Sequence, residues 1–179
     1  QISAKLIHIS TDYVFGGDGN KPFTESDKLN PLGVYGKTKA AGEIAIQKEM
    51  NQYYILRTAW LYGFDGKNFV YTMTNLMNSK EEIKVVNDQK GSPTCAVDLA
   101  ETIIKIISKS DNAKAFFGKN SAPSYGIYHF SNIGQITWYD FAQKIYELGK
   151  KYQKISNECK VLPCTSDEFP AKVTRPSYS

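Results

Sequence analysis

The chain has 179 residues, enough for one domain of ordinary size. With 41% apolar and 22% charged residues it has globular composition, and no apolar run approaches the ~20 residues of a membrane span. A net charge of +4, scattered along the chain, gives no basis for a nucleic-acid surface.

The cysteines Cys95, Cys159 and Cys164 form no closed disulfide set and no CxxC spacing. This points to a reduced, cytoplasmic protein in which all three are small packing residues. The chain opens at Gln1 directly into an apolar segment and stops at Ser179 without a closing element, so it reads as a piece of a longer chain.

Apolar period and turn residues give an alternation of strands and helices. Residues 4–10 read as a buried strand, and 11–33 as a long loop broken by Gly16, Gly17, Gly19, Pro22 and Pro31. Residues 34–50 read as a helix, in which Ala40, Ala41, Ile44 and Ala45 recur at three- and four-residue spacings. A strand at 53–58, a helix at 67–79 and a short strand at 83–86 follow. Ser92 or Thr94 is placed to cap a helix over 95–109, its core face at Leu99, Ile103, Ile106 and Ile107. Residues 112–124 read as a polar loop and 126–130 as a strand. Thr137 and Asp140 form a capping-box pattern for a helix running to Leu148, with Gly149 as its stop. Residues 160–163 suit a last strand. The alternation predicts an α/β fold with a mostly parallel sheet.

The chemistry centres on Tyr35 and Lys39, four apart at the start of a predicted helix and therefore on one face. A phenol, with a reference pKa of about 10, is a poor acid–base group at neutral pH. A nearby ammonium favours the phenolate, so the pair suits proton transfer to a developing alkoxide. The spacing alone is weak, since about one such match arises by chance in a chain this rich in Tyr and Lys. A second match, Tyr146 and Lys150, falls at a helix end, where Lys150 is expected to complete the last turn. Context favours the first. Thr11 ends a buried strand, and ligands of open α/β sheets bind at the carboxyl ends of strands. A strand-end hydroxyl followed by Tyr and Lys on the next helix suits carbonyl reduction.

The blocks STDYVF (10–15), NPLGVYGKTKAAGE (30–43), RTAWLYG (57–63), KNF (67–69), DQKGSPT (88–94), DLA (98–100), ITWYDFA (136–142) and TRPSYS (174–179) occur in one order along nearly the whole chain. In these the sequence resembles the dTDP-4-dehydrorhamnose reductase family of extended short-chain dehydrogenase/reductases. The resemblance implies the C-terminal portion of a Rossmann-like NAD(P)-binding fold with its small substrate-binding subdomain. It divides one incomplete domain at about residue 62. Residues 1–62 would complete the Rossmann-like sheet, and 63–179 would be mostly substrate-binding elements, with some returning to the Rossmann part.

The resemblance also implies a catalytic triad of Thr11, Tyr35 and Lys39, with Tyr35 and Lys39 touching the cofactor as well. It places Asp12, Tyr13, Trp60, Asn68, Phe69 and Arg175 around a dTDP-sugar. The cofactor would be NADPH or NADH, and the family analogy suggests a homodimer. No glycine-rich βα turn is present, so the family's N-terminal βα units, on the order of 90 residues, are absent from these 179. The implied reaction is reduction of dTDP-4-dehydro-6-deoxy-L-mannose to dTDP-L-rhamnose by the longer protein, with the piece alone inactive. The alternatives are a nucleotide-sugar epimerase or dehydratase of the same superfamily, and a noncatalytic regulatory subunit. A dehydratase would add an acidic pair beside the hydroxyl, where Thr11-Asp12-Tyr13 supplies one carboxylate. His8 and His129 lie in strand patterns without ligand spacing, so no metal site is expected.

Overall fold

The computed structural model describes residues 4–17, 21–110 and 123–168. Its elements in chain order are β1 (Leu6–Thr11), a 3₁₀ turn (Asp12–Val14), α1 (Val34–Glu49), β2 (Tyr53–Thr58), β3 (Leu61–Tyr62), α2 (Phe69–Ser79) and β4 (Glu82–Val86). There follow β5 (Lys90–Gly91), β6 (Thr94–Cys95), α3 (Ala96–Ser110), β7 (Gly126–His129), β8 (Ile136–Thr137), α4 (Trp138–Lys151) and β9 (Lys160–Cys164). No helix among the described residues is long and apolar enough to cross a membrane.

A parallel sheet in the order β1-β2-β7 carries the first half. Its register aligns Ser10 with Arg57 and His129 in one row, and Thr11 with Thr58. Tyr54 and Leu56 pack with Leu99 and Ile106 of α3, against Ile7, Ile9 and Tyr128. Alternation along a strand sends the next residues to the opposite face, where α1 lies. A second region is built on the parallel pair β4–β9. There α2 and α4 bury Met73, Met77, Ile83, Val85, Ala142, Ile145 and Val161 in one apolar core.

The structure departs from the sequence pattern at several points. The buried residues of α1 are Gly36, Ala40 and Glu43, whereas Ala41, Ile44 and Ala45 are exposed. The helix approaches its neighbours so closely that only small side chains fit: a Cβ on Gly36 would lie 2.1 Å from the Tyr13 carbonyl oxygen. Neither Ser92 nor Thr94 caps α3. Thr94 donates its hydroxyl to the Ala59 carbonyl at 2.7 Å, and Ser92 donates to Gly134. Of the predicted α3 face, Ile107 is 46% exposed.

The capping box of Thr137 and Asp140 is present, but Gly149 does not stop α4. The helix runs on to Lys151, and the chain leaves it through Gln153 at φ 56°. Gly149 is there for space, since a Cβ would lie 2.4 Å from Ile155 Cδ1. Lys150 stands in the last turn, as expected. Together with Tyr146 it grips Glu158 beyond the helix, at 2.7 and 2.9 Å.

Candidate active site

Thr11 closes β1 and is 6% exposed. Its hydroxyl donates to Asp12 Oδ1 at 2.8 Å and accepts the Tyr13 N–H at 3.3 Å. That second bond caps the 3₁₀ turn, which lifts Tyr13 toward the start of α1. The ring of Tyr13 meets the ring of Tyr35 edge-on at 5.8 Å. Tyr35 stands in the first turn of α1 and is 57% exposed, so its hydroxyl end is open to an incoming molecule. One turn on, Lys39 donates to the Ile9 carbonyl at 2.5 Å, and its Nζ lies 3.4 Å from His8 Nε2. Burial, then the Lys39 charge, hold His8 below the usual imidazole range, which favours the neutral ring beside the ammonium. The structure therefore brings Thr11, Asp12, Tyr13, Tyr35 and Lys39 together around the carboxyl end of β1.

Beside them lies a cavity of about 300 Å³ lined by Asp12, Phe15, Phe23, Arg57, Thr58, Ser92 and His129 among others. Thr58 Oγ1 and, on β1, Ser10 Oγ are buried without a hydrogen-bond partner. Orphaned buried hydroxyls are uncommon. Phe15 and Phe23 stack at 4.5 Å, and the Arg57 guanidinium sits 5.0 Å above the Phe15 ring. Burial holds His129 below the usual imidazole range; the Glu25 charge raises it and Arg57 lowers it. Glu25 is held low chiefly by the bond it accepts from the His129 N–H, 2.9 Å long.

The remaining predicted residues lie elsewhere. Trp60 leaves β2 at φ 50° and lays its ring flat on Trp138, 3.5 Å away at 12°. Gly91 fits against that ring, where a Cβ would come within 2.7 Å. Phe69 contacts Trp138 and Phe141 at 4.6 and 5.4 Å, within the α2–α4 packing. Asn68 caps α2 through Tyr71 N–H and donates to the Gly63 carbonyl at 2.9 Å. It lines a separate cleft with Leu61, Tyr62 and Val97. Arg175 lies outside the described residues.

Sequence reasoning missed Arg57, Glu43, Glu25 and His129 as members of this neighbourhood. One signal was available. Arg57 interrupts an otherwise apolar strand, and a charge in a buried strand requires a partner.

The model of the RmlD substrate binding domain family matches residues 1–179. A spore coat polysaccharide biosynthesis protein, SpsK, of Bacillus subtilis is 42% identical over 100% of this chain and 56% of its own length. A crystal structure of a dTDP-4-dehydrorhamnose reductase from Clostridium acetobutylicum superposes with a TM-score of 0.83 at 45% identity, covering 98% of this chain and 56% of that one. A second, from Bacillus anthracis in complex with NADP, gives a TM-score of 0.81 at 42% identity, with the same coverage of 98% and 56%. The chain thus spans little more than half the length of these relatives. Its α/β architecture is that of part of a Rossmann-like reductase.

Proposed function

This chain belongs to the RmlD substrate binding domain family, and from that premise we propose that the protein containing it reduces dTDP-4-dehydro-6-deoxy-L-mannose to dTDP-L-rhamnose with NADPH. The observation that carries the reading is the gathering of Thr11, Tyr35 and Lys39 at the carboxyl end of β1, beside a cavity of about 300 Å³. Residues 1–62 serve as the C-terminal part of the cofactor-binding sheet, and the elements after residue 63 mostly shape the sugar side. The protein acts in the cytoplasm, and family analogy makes a homodimer the assembly to test, by light scattering.

The residues fit a nicotinamide cofactor. An ammonium has three donors; Ile9 takes one and His8 lies near a second, leaving Lys39 a donor for a ribose hydroxyl. The bound cofactor supplies hydride to the carbonyl carbon of the sugar. Thr11 orients the carbonyl oxygen by donating its hydroxyl, exchanging Asp12 for the substrate. Tyr35 gives its proton to that oxygen as negative charge grows there, and the phenolate takes a proton back from solvent. Lys39 holds positive charge one turn from the phenol through this exchange. Asp12 and Tyr13 flank the reacting oxygen, and Trp60, stacked on Trp138, is assigned to the sugar side by the family resemblance alone. The assignment of Asn68, Phe69 and Arg175 to the nucleotide rests on the family resemblance alone, since Asn68 and Phe69 lie away from this cavity.

Full-length protein given NADPH and the 4-dehydro sugar should oxidise the one and yield dTDP-rhamnose. Tyr35→Phe should lower kcat by about 10²–10⁴-fold, the usual worth of a general acid, with the fold unchanged because the hydroxyl is exposed. Absence of turnover, or a dehydrated or epimerised product, would turn the reading toward the noncatalytic or superfamily alternatives.

A further inference from the structure

The helix that presents Tyr35 and Lys39 has little apolar hold on the sheet. Its buried residues are a glycine, an alanine and a carboxylate. That carboxylate, Glu43, has no exposed surface and accepts three hydrogen bonds from Arg57: from Nε at 3.0 and 3.2 Å and from Nη2 at 2.7 Å. The arginine side chain is itself 3% exposed. A guanidinium fork on a carboxylate fixes orientation as well as distance, which a single point charge does not. Glu43 stands one turn beyond Lys39 and about two beyond Tyr35. Arg57 is the register partner of Ser10, the neighbour of Thr11. The pair therefore joins the helix of Tyr35 to the strand row that ends in Thr11.

The same guanidinium has a third attachment. Its Nη1 donates to the Glu25 carbonyl at 3.3 Å and lies 3.4 Å from His129 Nε2. Glu25 belongs to the loop that connects Thr11 with Tyr35. Its carboxylate accepts the His129 N–H, so both ends of this residue are fastened to β2 and β7. Strand, helix and connecting loop meet on one arginine.

We propose that Glu43 and Arg57 are positioning residues: together they set where α1 sits on the sheet, and so the distance from the Thr11 hydroxyl to the Tyr35 hydroxyl. Neither touches the reacting atoms. The kinetic consequence rests on the reductase reading above; the structural consequence does not.

The test uses the full-length protein. Glu43→Gln keeps shape and removes the charge, and Arg57→Lys keeps the charge and removes the fork. Val161→Ala, in the distant β4–β9 core, is a control that lowers the melting temperature without touching α1. A misplacement of about 1 Å can cost about 10²-fold in rate. The expected result is a kcat per folded molecule reduced about 10- to 100-fold in Glu43→Gln and Arg57→Lys. In Glu43→Gln, where the carboxylate replaced has no exposed surface, the KM for the sugar should change less than about threefold, because ground-state binding is kept. Amide exchange across residues 34–42 should quicken while that of 69–79 stays as it was. Val161→Ala should keep its kcat at a comparable loss of melting temperature.

A folded Glu43→Gln protein with kcat within about twofold of the parent, or with unchanged exchange in α1, overturns the proposal. Should that variant not fold, Glu43→Asp, one methylene short, carries the same comparison. If the parent protein does not reduce the sugar, the reductase reading fails, and the exchange measurement still decides whether the pair anchors the helix.

Discussion

The two halves of this molecule hold their helices by opposite means. In the β4–β9 region α2 and α4 bury methionine, isoleucine and valine in a continuous apolar core. On the site side α1 is pinned by Glu43 to Arg57, by Lys39 to the Ile9 carbonyl, and by the close fit of Gly36 on Tyr13. Apolar packing is non-directional and tolerates small shifts of a helix along its neighbour. A bidentate ion pair specifies one position, and it is costly once half of it is removed. The region that must hold a proton donor in place uses the directional means, and the region proposed to shape the sugar side uses the other.

The contrast can be broken from either side. Glu43→Ala strands a buried guanidinium, so it should cost about 3–5 kcal/mol of unfolding free energy in denaturant titration. Replacing the pair together, as Glu43→Leu with Arg57→Met, should recover most of that stability, since apolar isosteres often match a buried ion pair. It should not recover kcat, and that separation of stability from rate is the sharpest reading of what the pair does. On the apolar side Met77→Ala, at a position with no exposed surface, should cost about 2–5 kcal/mol with kcat per folded molecule unchanged. Thr137→Ala removes the α4 capping box and should cost about 0.5–2 kcal/mol.

The smallest expected effect is a pH response. The folded-state pKa of His129 lies below the ordinary value of about 6.5, chiefly through burial. The unfolded chain then binds more protons in the window below 6.5. The stability this group contributes is present above that pH and lost as pH falls toward its folded pKa. Melting temperatures compared at about pH 8 and about pH 5.5 should show a fall that is smaller in His129→Gln. A fall of equal size in both proteins would assign the response to His8, which is lowered in the same direction, or to carboxylates.

Much of the fold was legible from period and punctuation. The buried strand at 53–58 matches β2 residue for residue, and the Thr137–Asp140 cap was readable from two residues at the right spacing. The inner face of α1 was not, because periodicity assigns the larger apolar side chains to the core. Here close approach selected Gly36 and Ala40 instead and left Ile44 59% exposed. The two-residue strands β3, β5, β6 and β8 carry no period to read. The stacking of Trp60 on Trp138 joins positions that no local pattern relates. At the site, Thr11, Tyr35 and Lys39 were legible through spacing and motif. The charged residues that hold them were not, because a glutamate in a helix and an arginine in a strand look like surface until their burial is known.

Gly36 has a consequence for anyone who sets out to improve this protein by design. Helix propensity alone ranks alanine above glycine by about 1 kcal/mol in a helix interior. A propensity-guided library would therefore nominate Gly36→Ala among its first stabilising candidates. The Tyr13 carbonyl oxygen, 2.1 Å from where that methyl group would stand, reverses the ranking. In a saturation library codon 36 should return glycine alone, and the usual rules of helix engineering apply to α1 only on its outward side.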